Sequence, residues 1–407
     1  MANTQNPSLP EDAAGKGRGN FILLTVVIFA AYLIFGLSEN VKGPAIPRIQ
    51  ADLDINEFQI GLLLAVNALG YLIACSFTAP LARRIGLKPA LMISLFVIAL
   101  SGVTICFAPS YLMLALSFFI MYLANGMLEI ALGILAAGFF TERTGTMLNI
   151  AHFFYGGGSI IGPIASAGLM AVTVHNAQLG WRYMYMIVLA CALLPLIPAL
   201  FGHIHGRDNE KIKGEYNAYL RDKNLWCVII ILSFGGMAEM GIGGWLVNYM
   251  EKANGFGTKE AAFALTAFFA VFTLTRLVIG PLIDKLGFIK SLLLLCGFAS
   301  VTLILGILCG GRPGEVLIVL SGIGIAPLYP TVFAVVAKLY HEKIDTAMTV
   351  TLTAMGIISM ISNLLLGFVI DGARRLFTDL YGSAGLGMGY TAGMLFLALC
   401  IVAAFAA

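Results

Sequence analysis

Two stretches decide how this chain is read: Ala79-Pro80-Leu81-Ala82-Arg83-Arg84-Ile85-Gly86-Leu87-Lys88 and Gly280-Pro281-Leu282-Ile283-Asp284-Lys285-Leu286-Gly287-Phe288-Ile289-Lys290. Both follow an apolar run, both place proline, charge and glycine in the same order, and they stand 201 residues apart in a chain of 407. Repetition at half the chain length is what a duplicated helical bundle produces. Outward from these loops the sequence divides into twelve apolar stretches, near 21–46, 57–81, 88–107, 110–140, 146–174, 180–201, 224–250, 260–283, 289–310, 315–337, 346–370 and 386–406. Each is close to the roughly 20 residues that a helix needs to cross the hydrocarbon core. With 59% hydrophobic and 11% charged residues, the chain requires lipid as its solvent. The expected architecture is an all-α integral membrane protein built from two pseudo-symmetric six-helix bundles.

The one long polar segment, Gly202 to Lys223, separates six stretches from six. It predicts an N-terminal bundle over 1–201, a linker over 202–223 and a C-terminal bundle over 224–407. Of the 24 Lys and Arg residues, 15 fall on the side of the linker, 7 on the other, and Lys42 and Arg276 lie within helices. That bias predicts cytoplasmic termini. The first apolar stretch follows 20 polar residues and has no small-residue cleavage site, so it reads as helix one and not as a removable signal. The chain stops inside the twelfth stretch at Ala407, which implies a short further tail. All seven cysteines lie in apolar spans and read as small buried hydrophobes, with no disulfide or metal framework.

On these residues the second loop resembles the major facilitator motif G-x-L-x-D-[RK]-x-G. The first copy is similar but carries Arg83 where the family has Asp. The resemblance implies that Gly280, Asp284, Lys285 and Gly287 form the loop whose acid holds the inner helix ends together in the outward-open state, whereas the latch of the first half, with Arg83 and Arg84, must differ. The family's fold, and transport by two bundles rocking about a central site, follow as expectations.

An ionisable group at the bilayer centre costs about 2.5–3.5 kcal/mol on insertion scales, so the few present are functional candidates. Glu129 stands midway along the fourth stretch, where it can carry a proton or sit neutral between helices. Glu239 occupies the same depth of the seventh, amid Gly235, Gly236, Gly241, Gly243 and Gly244, which permit unwinding or close packing. Trp245, Asn248 and Tyr249 follow it. An aromatic plane with polar neighbours suits a sugar ring, although interfacial aromatics are common. Glu39 and Lys42, three residues apart, lie about 27 to 31 Å along the first helix. At that depth they are either a site pair or a snorkelling pair near the outer end, and Gly43, Pro44 and Pro47 interrupt the helix beyond them. Asn149 and His152 open the fifth helix, where histidine is a proton partner, a hydrogen-bond donor or a structural residue. Arg276 reads as a gate or structural residue pairing with loop acids. Tyr329, between Pro327 and Pro330, is a weaker cavity candidate, as are Asn363 and Asn67.

No P-loop, nucleophile elbow, HExxH or Cys/His metal cluster is present in the sequence. The chain therefore reads as neither an enzyme nor an ATP-driven pump, without cofactor or nucleic-acid partner. Within the superfamily it looks most like the fucose permease group of sugar:proton symporters. That likeness is carried by Gly126-Met127-Leu128-Glu129-Ile130-Ala131, Leu148 to Gly156, Glu239 with Trp245 and Tyr249, and Gly322 to Thr331. It implies that Glu129 is the helix-four carboxylate tied to sugar and proton. The group's helix-one aspartate is replaced here by Gly43, leaving Glu39 one turn earlier as the nearest acid. The expectation is a monomeric inner-membrane importer of a hexose, deoxyhexose or related sugar with a proton, or with sodium. Substrate contacts fall to Glu129, Asn149, His152, Glu239, Trp245, Asn248, Tyr329 and Asn363, and proton coupling to Glu129 and Glu39. A drug or metabolite exporter, suggested by Gly162-Pro163, and a non-transporting sensor are the alternatives.

Overall fold

The structure is a computed structural model, and it describes residues 11–140, 144–174, 177–202, 221–340, 344–382 and 385–407. Twelve of its helical segments are long and apolar enough to cross a membrane, from Gly19–Leu53 to Gly385–Ala406. Most of the polar stretch between the sixth and seventh spans, 203–220, lies outside the described residues.

The first span is a broken helix, α1 (Glu11–Asn40) and α2 (Lys42–Leu53), interrupted at Val41. Pro44 has no N–H to offer the carbonyl of Asn40 four residues back, so the ladder fails one turn before the proline. The break thus falls earlier than Gly43, and the helix then runs through Pro47 to Leu53. Next come α3 (Glu57–Ile85), α4 (Leu87–Cys106), α5 (Tyr111–Phe139) and α6 (Thr144–Ala171). A two-residue antiparallel pair, β1 (Thr173–Val174) and β2 (Ala177–Gln178), turns the chain into α7 (Gly180–Ala190) and α8 (Leu193–Phe201), which share the sixth span.

The second half begins with α9 (Lys223–Lys252), α10 (Thr258–Val278) and the short α11 (Gly280–Leu286). It continues with α12 (Phe288–Cys309), α13 (Gly311–Ile325), α14 (Leu328–Leu339), α15 (Ile344–Tyr381) and α16 (Gly385–Ala406). The tenth span bends between α13 and α14 at Ala326 and Pro327, as the prolines there lead one to expect. The two loop copies read from the sequence also share a backbone. Gly86 has φ 95° and ψ 153°, Gly287 has φ 82° and ψ 157°, and each stands between two helices. Only glycine adopts that region without strain.

Packing between the halves has a twofold logic. The second span of the first half, α3, lies on α15, the fifth of the second half; α6, the fifth of the first, lies on α10, the second of the second. The α3/α15 crossing is tight because a Cβ on Gly61 would sit 2.7 Å from the Cα of Gly367, and one on Gly367 2.6 Å from the Cα of Gly61. Small residues let helix backbones approach this closely in lipid.

With an even number of spans both termini lie at one end, and side-chain bonds between the halves cluster toward the opposite, far end. Arg48 Nη1 of α2 meets Glu251 Oε2 of α9 at 2.6 Å, and its Nη2 donates to Thr258 Oγ1. Asn248 Nδ2 donates to Gln50 Oε1 at 3.0 Å. Glu57 at the start of α3 accepts from Tyr390 OH of α16 at 2.9 Å and faces Arg374 Nε of α15 at 2.7 Å. At the end that holds the termini, side chains bond within a half: Lys88 Nζ caps the carbonyls of Leu200 and Gly202 at the end of α8, and Tyr340 OH donates to Asp222.

Candidate functional site

Three carboxylates stand in the middle of the molecule, and each has a different partner set. Glu39 of α1 and Lys42 of α2 flank the break at Val41 and are buried, at 6% and 7% exposure. Lys42 Nζ lies 3.5 Å from Glu39 Oε2 and donates to Tyr122 OH at 2.8 Å. The other carboxylate oxygen of Glu39 accepts from Asn125 Nδ2 at 3.1 Å, and Asn125 Oδ1 accepts from Ser38 Oγ at 3.0 Å. The pair therefore does not snorkel: it is sealed against α5. The i,i+3 spacing through the still-helical Val41 sets Lys42 beside its own acid, where the Tyr122 phenol accepts from Lys42 and the Asn125 amide donates to Glu39.

Glu129 lies one turn further along α5 from Asn125. Tyr122, Asn125 and Glu129, at spacings of three and four, form one stripe down the helix. Glu129 is half-buried and accepts a hydrogen bond from Tyr71 OH of α3. The third carboxylate, Glu239 of α9, lies 3.8 Å from Arg276 Nη2 of α10. Arg276 also donates from Nε to the Ala326 carbonyl at 2.9 Å, at the bend of the tenth span, and stacks over Phe272 at 4.4 Å. Arg276 is thus paired with an intramembrane acid and a carbonyl freed by Pro330, not with loop acids.

Between Glu39 and Glu239 lies a small cavity, which neither Glu129 nor Arg276 lines. Glu39, Asn40, Lys42 and Tyr155 line it from the first half, and Glu239, Met240, Gly243 and Phe269 from the second. Asn40 is held by its own helix, at Gly36 O, and by Ser159 Oγ of α6, both at 2.9 Å. Tyr155 is within electrostatic reach of Glu39, Glu129, Glu239 and Arg276, which makes it the hub of the charged groups.

Other residues singled out in the sequence lie elsewhere. Trp245 is 1% exposed and packs on Tyr390 at 6.4 Å. Its ring is core between α9 and α16 and not an open sugar platform. Asn248 binds Gln50 across the far-end contact, and Tyr249 OH donates to Ile307 O at 3.4 Å, so neither faces the cavity. Asn363 Nδ2 donates to Ser359 O of its own helix at 2.9 Å, beside the Gly61 crossing. Asn67 is buried with neither amide atom partnered among the described residues. His152 is exposed and leans on Tyr32 at 5.2 Å, on the terminal side of the cavity. Tyr329 stacks on Phe333 at 4.4 Å, within electrostatic reach of Glu129, Arg276 and Glu239. The side chains of Asn149 and Asp284 lie outside the described residues. In the loop motif, Arg83, Arg84 and Lys285 are exposed, and Gly280 begins α11.

Sequence reading passed over Tyr71, Tyr122, Asn125 and Tyr155. A tyrosine in an apolar run reads as a hydrophobe, and only the fold shows that these hydroxyls converge on carboxylates. Asn125 had the stronger signal, an amide one turn from a membrane acid.

An interrupted first span, three carboxylates in the middle of the molecule and exchange packing of second and fifth spans are the arrangement of a membrane transporter. The chain belongs to the Major Facilitator Superfamily, whose family model matches residues 28–363. It is 23% identical to the L-fucose-proton symporter of Escherichia coli over 413 aligned residues, covering 92% of each chain. Its fold matches a bacterial homologue of the human lysosomal transporter Spinster, solved inward-facing and unoccupied, with a TM-score of 0.79 at 15% identity over 96% of both chains. It also matches the fucose transporter in its outward conformation, with a TM-score of 0.62 at 19% identity over 95% of this chain and 98% of that one.

Proposed function

We propose that this transporter imports a small polar solute of monosaccharide size together with a proton, and that Glu129 carries the proton. Charge balance is the observation behind this reading. Glu39 has Lys42 and Glu239 has Arg276, whereas Glu129 has a phenol and no cation among its described neighbours. An uncompensated charge at this depth costs about 2.5–3.5 kcal/mol, which binding a proton removes. The cavity offers acids, an amide, phenol and ammonium donors and the Phe269 ring. That lining suits several hydroxyls on an apolar ring face. Glu239, Asn40 and Tyr155 are the primary contacts, with His152 and Tyr329 at the entrance. The relative's name, a sugar–proton symporter, agrees.

The bias of basic residues assigns the terminal side to the cytoplasm of a bacterial inner membrane, so the far-end bonds close the periplasmic side. The state is then inward-facing, in keeping with the better match to the inward-facing neighbour. Substrate and proton enter together from outside, and opening inward rehydrates Glu129 and releases the proton.

The test is sugar-induced alkalinisation by proteoliposomes across a panel of hexoses and deoxyhexoses, with Glu129→Gln beside the native chain. One sugar should give a proton signal that the variant loses while it still exchanges labelled sugar across the membrane. Sugar uptake with no proton signal would overturn the coupling. Silence across the panel with proton-driven efflux of an apolar cation would make the chain an exporter.

A further inference from the structure

The helix-one acid has an unusual shell for a proton site. Glu39 has both carboxylate oxygens occupied, one by Asn125 Nδ2 and one facing Lys42 Nζ, and both partners are held in turn: Asn125 by Ser38, Lys42 by the hydroxyl of Tyr122. Lys42 also lies over the Tyr122 ring at 5.2 Å. Every group named is under 9% exposed, so the pair is largely withdrawn from bulk water. The other titratable groups around Glu39 are Tyr155 of α6, Tyr185 of α7, Glu129 of α5 and, across the cavity, Glu239 of α9. None is a second cation, so the ammonium of Lys42 alone balances this acid. Their i,i+3 spacing on the helix puts it there.

We propose that Lys42 is a built-in counter-cation that keeps Glu39 ionised throughout the cycle. The helix-one carboxylate is then a fixed charge that orients Asn125 and the α5 stripe, and Lys42 is a positioning residue that holds coupling at one proton, on Glu129. A chain with Glu39 uncompensated would have two buried acids on adjacent helices, each able to take a proton. The ammonium performs electrostatically what a second bound proton or a sodium ion would do, without leaving the protein. Only the stoichiometry rests on the proposed role of Glu129; the state of Glu39 does not.

The test is infrared spectroscopy of the purified protein in lipid, reading the carbonyl band of protonated carboxylic acids that shifts on deuterium exchange, at neutral pH. No substrate is needed. Glu39→Gln should leave this band unchanged, and whatever intensity the native chain shows from its proton-loaded population should be lost in Glu129→Gln. Lys42→Gln should add one further acid's worth of intensity, lost again in Lys42→Gln/Glu39→Gln, and Lys42→Arg should look native. The double variant removes both charges together, so it reports even where Lys42→Gln alone fails to fold: it should then match the native spectrum. Loss of native intensity in Glu39→Gln overturns the proposal, as does a Lys42→Gln spectrum with no added acid. A native band that survives Glu129→Gln sinks the proton-carrier reading instead and leaves the Lys42 result standing.

Discussion

Replacing Glu57 by Gln should open the far end of the molecule. Glu57 is 5% exposed, and its side chain links α3 to both α15 and α16. In Glu57→Gln the amide oxygen keeps the bond from Tyr390, while the charge opposite Arg374 is lost and the amide N–H2 meets the Arg374 Nε–H donor to donor. Exposed ion pairs contribute about 0.2–1 kcal/mol and hydrogen bonds to charged groups about 1.5–3. Here Arg374 is 28% exposed, keeps Asp371 at 2.9 Å, and meets Glu57 at 2.7 Å with angles that leave neither facing atom a well-formed hydrogen bond. A loss of about 1–2 kcal/mol follows, or roughly a 5- to 30-fold shift from the far-end-closed toward the far-end-open state. Spin labels on Ala51 and Lys259, both exposed at that end, would report it as growth of a longer distance in double electron–electron resonance. Adding Arg48→Gln, which cuts the link to Glu251, should multiply the effect. An unchanged distance distribution in both variants would refute the view that these bonds hold the far end shut.

Gly61→Ala should lower thermal stability in detergent by about 1–3 kcal/mol, because its Cβ would meet backbone at 2.7 and 2.9 Å, while Gly133→Ala, with nothing within 4 Å, should be silent. Asn67→Leu should raise the melting temperature, since the buried amide has no partner among the described residues to lose, and a fall would show one outside them. Asp222, at the N-terminus of α9, is held below the usual carboxylate range chiefly by the Tyr340 hydroxyl. A depressed acid stabilises above its unfolded value and loses that contribution as pH falls through its folded value. Asp222→Asn should therefore melt below the native chain at pH 7, with the gap closing in acid; a constant gap would mean that the charge is irrelevant.

The architecture was legible because lipid imposes a length and a polarity on every span, and because the loop glycines, Gly86 and Gly287, had to recur where the backbone turns through positive φ. Span ends were read less well where polar groups stay helical. The eleventh helix was ended at 370, yet it continues to Tyr381, since Asp371, Arg374 and Arg375 satisfy one another and Glu57 instead of leaving the helix for water. The site was half legible. Glu39, Glu129 and Glu239 announce themselves because charge in lipid demands a reason, but that Arg276 answers Glu239 across two helices and that none of the described cations answers Glu129 emerge only from the packing. Trp245 and Asn248 misled because aromatic and amide groups serve a closed contact as readily as a ligand.

The length of α15 has a mechanical consequence. Its 38 residues make a rod of about 57 Å, where the hydrocarbon core is about 30 Å thick. From the ion-paired Asp371 to Tyr381 it extends about 15 Å as an unbroken lever, so each degree of rocking displaces the tip by about 0.26 Å relative to its pivot. Leu376, Leu380 and Tyr381 are exposed along it. A binder raised against that tip would grip the protein where a small rotation has become a large translation, and would sort the two states by leverage with no contact to the cavity.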